Sequence, residues 1–180
     1  WRQTEGIRDA CIVNYPLQRL GSGEPKRKDY VDAKDFLEEF VKQSDIYENI
    51  CVVENGGILM QGGMYIENME EGFQKEVEDY FADNPGSYDC WTLSGGMQKS
   101  PYVKYSYSGD VLTYCGLVDS FFSNDFSETL GILYVSVREE ELYHVYGDFL
   151  ADRTLDYFLM DSRGNILSAK NKEGLGTQIE

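Results

Sequence analysis

Residues 50–60 read Ile-Cys-Val-Val-Glu-Asn-Gly-Gly-Ile-Leu-Met, and residues 158–167 read Phe-Leu-Met-Asp-Ser-Arg-Gly-Asn-Ile-Leu. Each phrase is an apolar run closing on an acid (Glu54, Asp161), a turn containing Gly, and a second run opening with Ile-Leu. Such a phrase specifies a tight β-hairpin, because Gly tolerates the positive φ these turns need. Written twice, at a spacing of roughly one small domain, it predicts two related modules in tandem. The first is placed over 1–152, and 153–180 is expected to be the opening of a second, incomplete one.

The segments between the hairpins alternate between two periods. Residues 3–20 are weakly helical, with Ile7, Cys11 and Tyr15 four apart and Pro16 bending or ending the pattern. After a loop over 21–29, a stronger helix is expected at 30–43, its apolar stripe formed by Val31, Phe36, Leu37, Phe40 and Val41. The first hairpin, 49–61, ends at Gly62-Gly63. A helix at 70–82 carries Phe73, Val77, Tyr80 and Phe81, and Asp83-Asn84-Pro85-Gly86 stops it. Residues 83–100 read as loop apart from the short run 89–93. Strands are expected at 102–107, 111–118 and 131–138, the first two joined at Ser108-Gly109-Asp110. After Arg138 the period becomes helical: Leu142, Val145, Tyr146, Phe149 and Leu150 form the stripe of a helix over 139–151. Five antiparallel strands flanked by helices make an α+β fold.

Composition narrows the function. With 42% hydrophobic residues and 14 Tyr, the chain has material for a core and for half-buried rings that keep a hydroxyl available. A net charge of −16 repels phosphate backbones and argues against nucleic acid as a partner. Lys26-Arg27-Lys28 is read as a solvated cluster in a polar loop. Cys11, Cys51, Cys90 and Cys115 lie too far apart in sequence for a zinc knuckle or a redox CxxC, and Cys51 and Cys115 sit in strand-like runs. No apolar stretch approaches the roughly 20 residues of a membrane span. Because it begins at Trp1, the chain is expected to be a soluble piece of something longer.

Enzyme signatures are lacking. The single His144 falls beside the apolar stripe of 139–151 without companions. There is no nucleophile elbow, P-loop, zinc-protease or dinucleotide motif, and no calcium loop. Glu70-Glu71, Glu78-Asp79 and Glu139-Glu140-Glu141 fall on polar faces or first turns of helices and are read as solvated. Neither a cofactor nor a metal is called for.

The order helix, hairpin, helix, loop, three strands resembles the Cache branch of PAS-like sensor folds. The stretch Gly131-Ile-Leu-Tyr-Val-Ser-Val-Arg, followed by Tyr157-Phe-Leu-Met-Asp-Ser-Arg-Gly-Asn-Ile-Leu-Ser and Glu173-Gly-Leu-Gly, resembles extracellular double-Cache regions of bacterial sensor histidine kinases. The resemblance implies a PAS-like five-stranded sheet in a membrane-distal sensor module, with the hairpin of a membrane-proximal module after it. It further implies a ligand-sensing domain outside the cell membrane, whose transmembrane helices and kinase lie beyond this chain. Its partner would be an unknown small molecule and, optionally, a second copy of the chain. In such modules the ligand lies between the sheet and the segment after the first hairpin, which here nominates Tyr65, Tyr80, Trp91, Tyr105, Tyr107, Tyr114 and Asp119. Amino-acid-binding members carry an Arg in that segment, whereas this chain has none between Met64 and Val111. A neutral or cationic ligand, or a partner protein, is therefore favoured over an α-amino acid. Alternative readings are a chemoreceptor or cyclic-nucleotide signalling protein, or a ligand-free structural or dimerising module.

Overall fold

The structure is a computed structural model describing residues 2–69, 71–94, 97–99, 111–122, 128–147, 157–161 and 163–179, with backbone alone at 71, 94 and 97–99. Three helices come first: α1 (Arg2–Val13), α2 (Tyr15–Gly21) and α3 (Arg27–Lys42). Asn14 separates the first two. Its side chain accepts from the Leu17 amide at 2.9 Å, capping α2, and Pro16 occupies the first turn, where a missing N–H costs nothing.

α3 begins three residues earlier than expected, so Arg27 and Lys28 lie in its first turn and not in a loop. Its buried line is Asp29, Ala33 and Leu37, with Phe36, Phe40 and Val41 half-buried against the core. Val31 faces solvent instead of joining the stripe, as does Tyr15. The cause is Asp29, whose carboxylate accepts from the Lys26 amide at 2.6 Å and pairs with Arg19 at 3.0 Å. That pins the 29–33–37 line inward and leaves Val31, about 200° further round, outside.

β1 (Tyr47–Glu54) and β2 (Gly57–Gly63) form the expected hairpin. Asn55 and Gly56 have φ of 47° and 81°, the double positive φ of a two-residue turn. β3 (Ile66–Met69), α4 (Glu71–Asp83), β4 (Asp89–Ser94), β5 (Met97–Lys99), β6 (Val111–Asp119), β7 (Thr129–Arg138), α5 (Glu139–Gly147), β8 (Phe158–Met160) and β9 (Ile166–Ala169) follow. The main sheet is antiparallel and five-stranded, in the order β2-β1-β7-β6-β4. β3 pairs with β5, and β8 with β9, as separate two-stranded sheets.

In the sheet β6 pairs with β7 on one side and with β4, Asp89–Ser94, on the other. The strand expected at 102–107 lies outside the described residues. Within 83–100, expected to be loop apart from the run 89–93, that run is β4; the further strand β5 and the earlier β3 answer to no expectation from the sequence. Strands of three or four residues are too short to show a period of two.

Alternation splits the core between the two faces of the sheet. Ile50, Val52, Leu112, Tyr114, Leu133 and Val135 pack with α1, α2 and α3. Cys51, Val53, Cys115 and Tyr134 pack with Ile66, Met69, Phe73 and Val77, the last two from α4. β1, covered on both sides, is buried from Tyr47 to Val53. At Gly62 a Cβ would lie 2.7 Å from the Glu38 amide nitrogen, so this glycine is where α3 rests on β2. In α5 Val145 is exposed, outside the expected stripe, and Phe149 and Leu150 fall outside the described residues. Glu139, expected to be solvated, is buried.

A cleft at the sheet edge

Among the described residues, β4 has a strand partner on one side only. Along its free side runs a cleft of ≈ 350 Å³ lined by Glu5 of α1, Tyr80 of α4, Asp89, Cys90 and Trp91 of β4, and Tyr114 of β6. Met160, Asp161, Arg163 and Leu167 of the β8–β9 hairpin complete it. An edge strand shows both its faces to such a cleft. Thus Trp91 contributes from the α1 side and Cys90 from the α4 side.

Trp91 stands opposite Tyr114 in register, and their rings meet edge to face with centroids 5.4 Å apart. The Tyr114 hydroxyl donates to Asp89 Oδ2 at 3.1 Å, and Arg8 Nη1 approaches the same oxygen at 3.8 Å. Burial, reinforced by the Asp89 charge, pushes the Tyr114 phenol well above its ordinary value, so it remains a donor.

The other wall is the turn after Met160. Asp161 accepts from the amides of Arg163 and Asn165, both at 2.9 Å, and from Asn165 Nδ2 at 2.7 Å. Burial opposes ionisation of Asp161, but these bonds and the Arg163 guanidinium at 3.4 Å outweigh it and hold the carboxyl below the usual range. Arg163 also lies over the Tyr80 ring, 5.8 Å from its centroid, linking the hairpin to α4. The cleft therefore offers rings, carboxylates and a guanidinium together, suited to holding a small polar molecule with an apolar part.

A second contact joins α5 to β9. Glu139 Oε1 accepts from Ser168 Oγ at 2.5 Å, the Ala169 amide at 3.2 Å and Lys172 Nζ at 2.7 Å. Tyr146 Oη and Ser168 Oγ are 2.9 Å apart, and Lys172 Nζ sits 4.5 Å from the Tyr143 ring centroid. Glu139 is buried because it opens α5 directly under β9.

Of the nominated residues, Tyr80, Trp91 and Tyr114 come together in the cleft. Tyr65 is exposed and away from it. Asp119 ends β6, its carbonyl accepting from Gln18 Nε2 at 3.0 Å, and does not line the cleft. Tyr105 and Tyr107 lie outside the described residues. Sequence reasoning missed Glu5, Asp89 and Arg163. No Arg lies between Met64 and Val111, and the guanidinium of the cleft arrives from the second hairpin. Sequence reasoning also missed Tyr134, whose buried hydroxyl has no partner among the described residues and lines another cleft of ≈ 320 Å³ against α4. Alternation within β7 was the available signal. Among the described residues, no group of three or more His, Cys, Asp and Glu is placed to hold a metal, and no helix is long and apolar enough to cross a membrane.

A five-stranded antiparallel sheet in this order, with helices on both faces, is an α+β fold of the PAS-like, Cache type. No protein-family model matches the chain, and no curated protein does. Solved structures similar in fold include two with a TM-score above 0.5. One is the extracellular domain of vpHK1S-Z8, a histidine kinase by designation, with TM-score 0.61 and 14% identity over 97% of this chain and 64% of that one. The other is the ligand-binding domain of the Campylobacter jejuni chemoreceptor Tlp3 in complex with 4-methylisoleucine, with TM-score 0.52 and 18% identity over 98% and 63%. The chain thus spans less than two thirds of the length of either.

Proposed function

We propose that this chain is the ligand-sensing part of a membrane receptor, facing outward, and that it binds a small molecule in the cleft between the β4 edge and the β8–β9 hairpin. The observation that carries the proposal is the composition of that cleft. Rings from the main sheet and α4 meet a guanidinium and a carboxylate from a hairpin with its own separate pairing. A molecule touching both walls would favour one spacing of hairpin and sheet over others, which is how a binding event becomes a mechanical one. Shifts of roughly an ångström or two between packed elements suffice. α5 follows β7 directly and is clamped to β9 through Glu139, so it would carry the displacement onward. On this reading the β8–β9 hairpin opens a membrane-proximal second module, as in a double-Cache receptor. The greater length of the similar solved structures supports this.

Output through a histidine kinase and output through a chemoreceptor are supported alike, since one similar structure is of each kind. The coding sequence downstream of residue 180 separates them, through a kinase module or a methyl-accepting coiled coil. Binding itself is tested by calorimetry and thermal shift with a panel of amino acids, amines, carboxylates and sugars. At least one class should raise the melting temperature of the wild type, and Trp91→Ala should weaken its binding at least tenfold. No response from any class, in a folded protein, would remove the sensing role.

A further inference from the structure

Cys90 and Cys115 stand directly opposite one another on β4 and β6, on the face packed by α4. The Leu117 amide donates to the Tyr88 carbonyl at 2.9 Å. Counting two residues along each strand makes 90/115 a hydrogen-bonded pair, for which Cα atoms lie about 5.5 Å apart. That falls inside the roughly 4.4–6.8 Å that a disulfide spans. All four cysteines are free thiols here, and no other pair is so placed. Cys51 is separated from Cys115 by Tyr134 of β7, about 10 Å across two strand spacings, and Cys11 belongs to α1 on the opposite face.

Access differs within the pair. Cys115 is fully buried, while Cys90 is half-buried and lines the cleft, so a small molecule entering the cleft reaches Cys90 first. The neighbouring Cys115 thiol and, after it, the Arg163 charge lower the Cys90 thiol. Burial, followed by the neighbouring Cys90 thiol, raises Cys115. One thiol is therefore poised to attack and the other to resolve.

We infer that Cys90 and Cys115 are a redox-active dithiol that closes to an intramolecular disulfide beneath the cleft when a small disulfide oxidant enters it. The Cys90 thiolate attacks one sulfur of RS–SR, the S–S bond breaks, and RS⁻ leaves and takes up a proton. The Cys115 thiolate then attacks Cys90 Sγ of the mixed disulfide and displaces the second RS⁻. Two protein thiols are oxidised and one external disulfide is reduced to two thiols. The new bond ties the edge strand to its neighbour at the cleft wall. This assignment does not depend on the sensing role, because its readout needs no ligand.

The probe is oxidised glutathione, applied to the whole chain in its folded state, followed by acid quench, alkylation and peptide mass mapping. The expected product has lost two hydrogens and links the peptides of Cys90 and Cys115, with Cys11 and Cys51 alkylated only after denaturation. Cys115→Ala, checked for folding by circular dichroism, should accumulate the glutathione adduct on Cys90. Cys90→Ser should take up no glutathione. A wild type that keeps four thiols at a glutathione ratio oxidising its unfolded form overturns the inference, as does a lasting Cys90 adduct with Cys115 free.

Discussion

Glu139 is a carboxylate in the first turn of a helix, where water would ordinarily surround it, yet its side chain is only 3% exposed. Lys172, in the turn that follows β9, reaches it with 41% of its own side chain exposed. Removing the cation leaves a buried charge unmatched, and the open end of Lys172 lets water offset part of the loss. We expect Lys172→Met to destabilise by about 2 kcal/mol in urea denaturation, and Glu139→Gln in the same chain to recover more than half. A neutral result for Lys172→Met would mean that the pair is solvated. Asp161 gives a pH dependence. Its folded value lies below its unfolded one, so the stabilisation is complete above the ordinary aspartate range near pH ~4. It is lost as pH falls through the lowered folded value. Thermal melts of wild type and Asp161→Asn should converge on acidification and separate above it, with the wild type the more stable.

Elements in this fold are placed by contacts that a single side chain can block. α3 meets β2 at Gly62, where a methyl group would fall 2.7 Å from the Glu38 nitrogen and 2.8 Å from the Leu37 carbonyl carbon. Backbone has no rotamer to move aside. Gly62→Ala should therefore cost about 2–3 kcal/mol, read as a lower denaturation midpoint, whereas Gly72→Ala, with open space around its Cβ position, should cost little. The hairpin β1–β2 and helix α4 were legible beforehand because each carries its own period and its own stop: Asn55-Gly56 for the first, Asp83 to Gly86 for the second. The rotation of α3 was not, because the residue that sets it, Asp29, is polar and is held by Arg19 from another helix. Nor was the partner of β6. Neighbouring strands in sequence suggest a hairpin, but pairing depends on which strand reaches the sheet, and Asp89–Ser94 does.

For the whole molecule, the cleft is a property of two segments far apart in sequence. Ligand binding there should slow amide exchange in β4, β8–β9 and α5 together, leaving β2 unchanged. Tyr80→Ala and Trp91→Ala should lower affinity, while Tyr65→Ala, exposed and outside the cleft, should not. Exchange slowed instead around Tyr134 would move the site to the face under α4. From its own residues the chain dictated an α+β sheet with helices, two hairpins and the rings that could line a pocket. Those follow from periodicity and turn chemistry, which act over a few residues. Tertiary structure alone decided that β4 closes the sheet, that Glu139 is buried, and that Arg163 meets Tyr80. Each joins groups between 17 and 83 residues apart, and only packing, which acts through space and is blind to sequence distance, can bring such groups together.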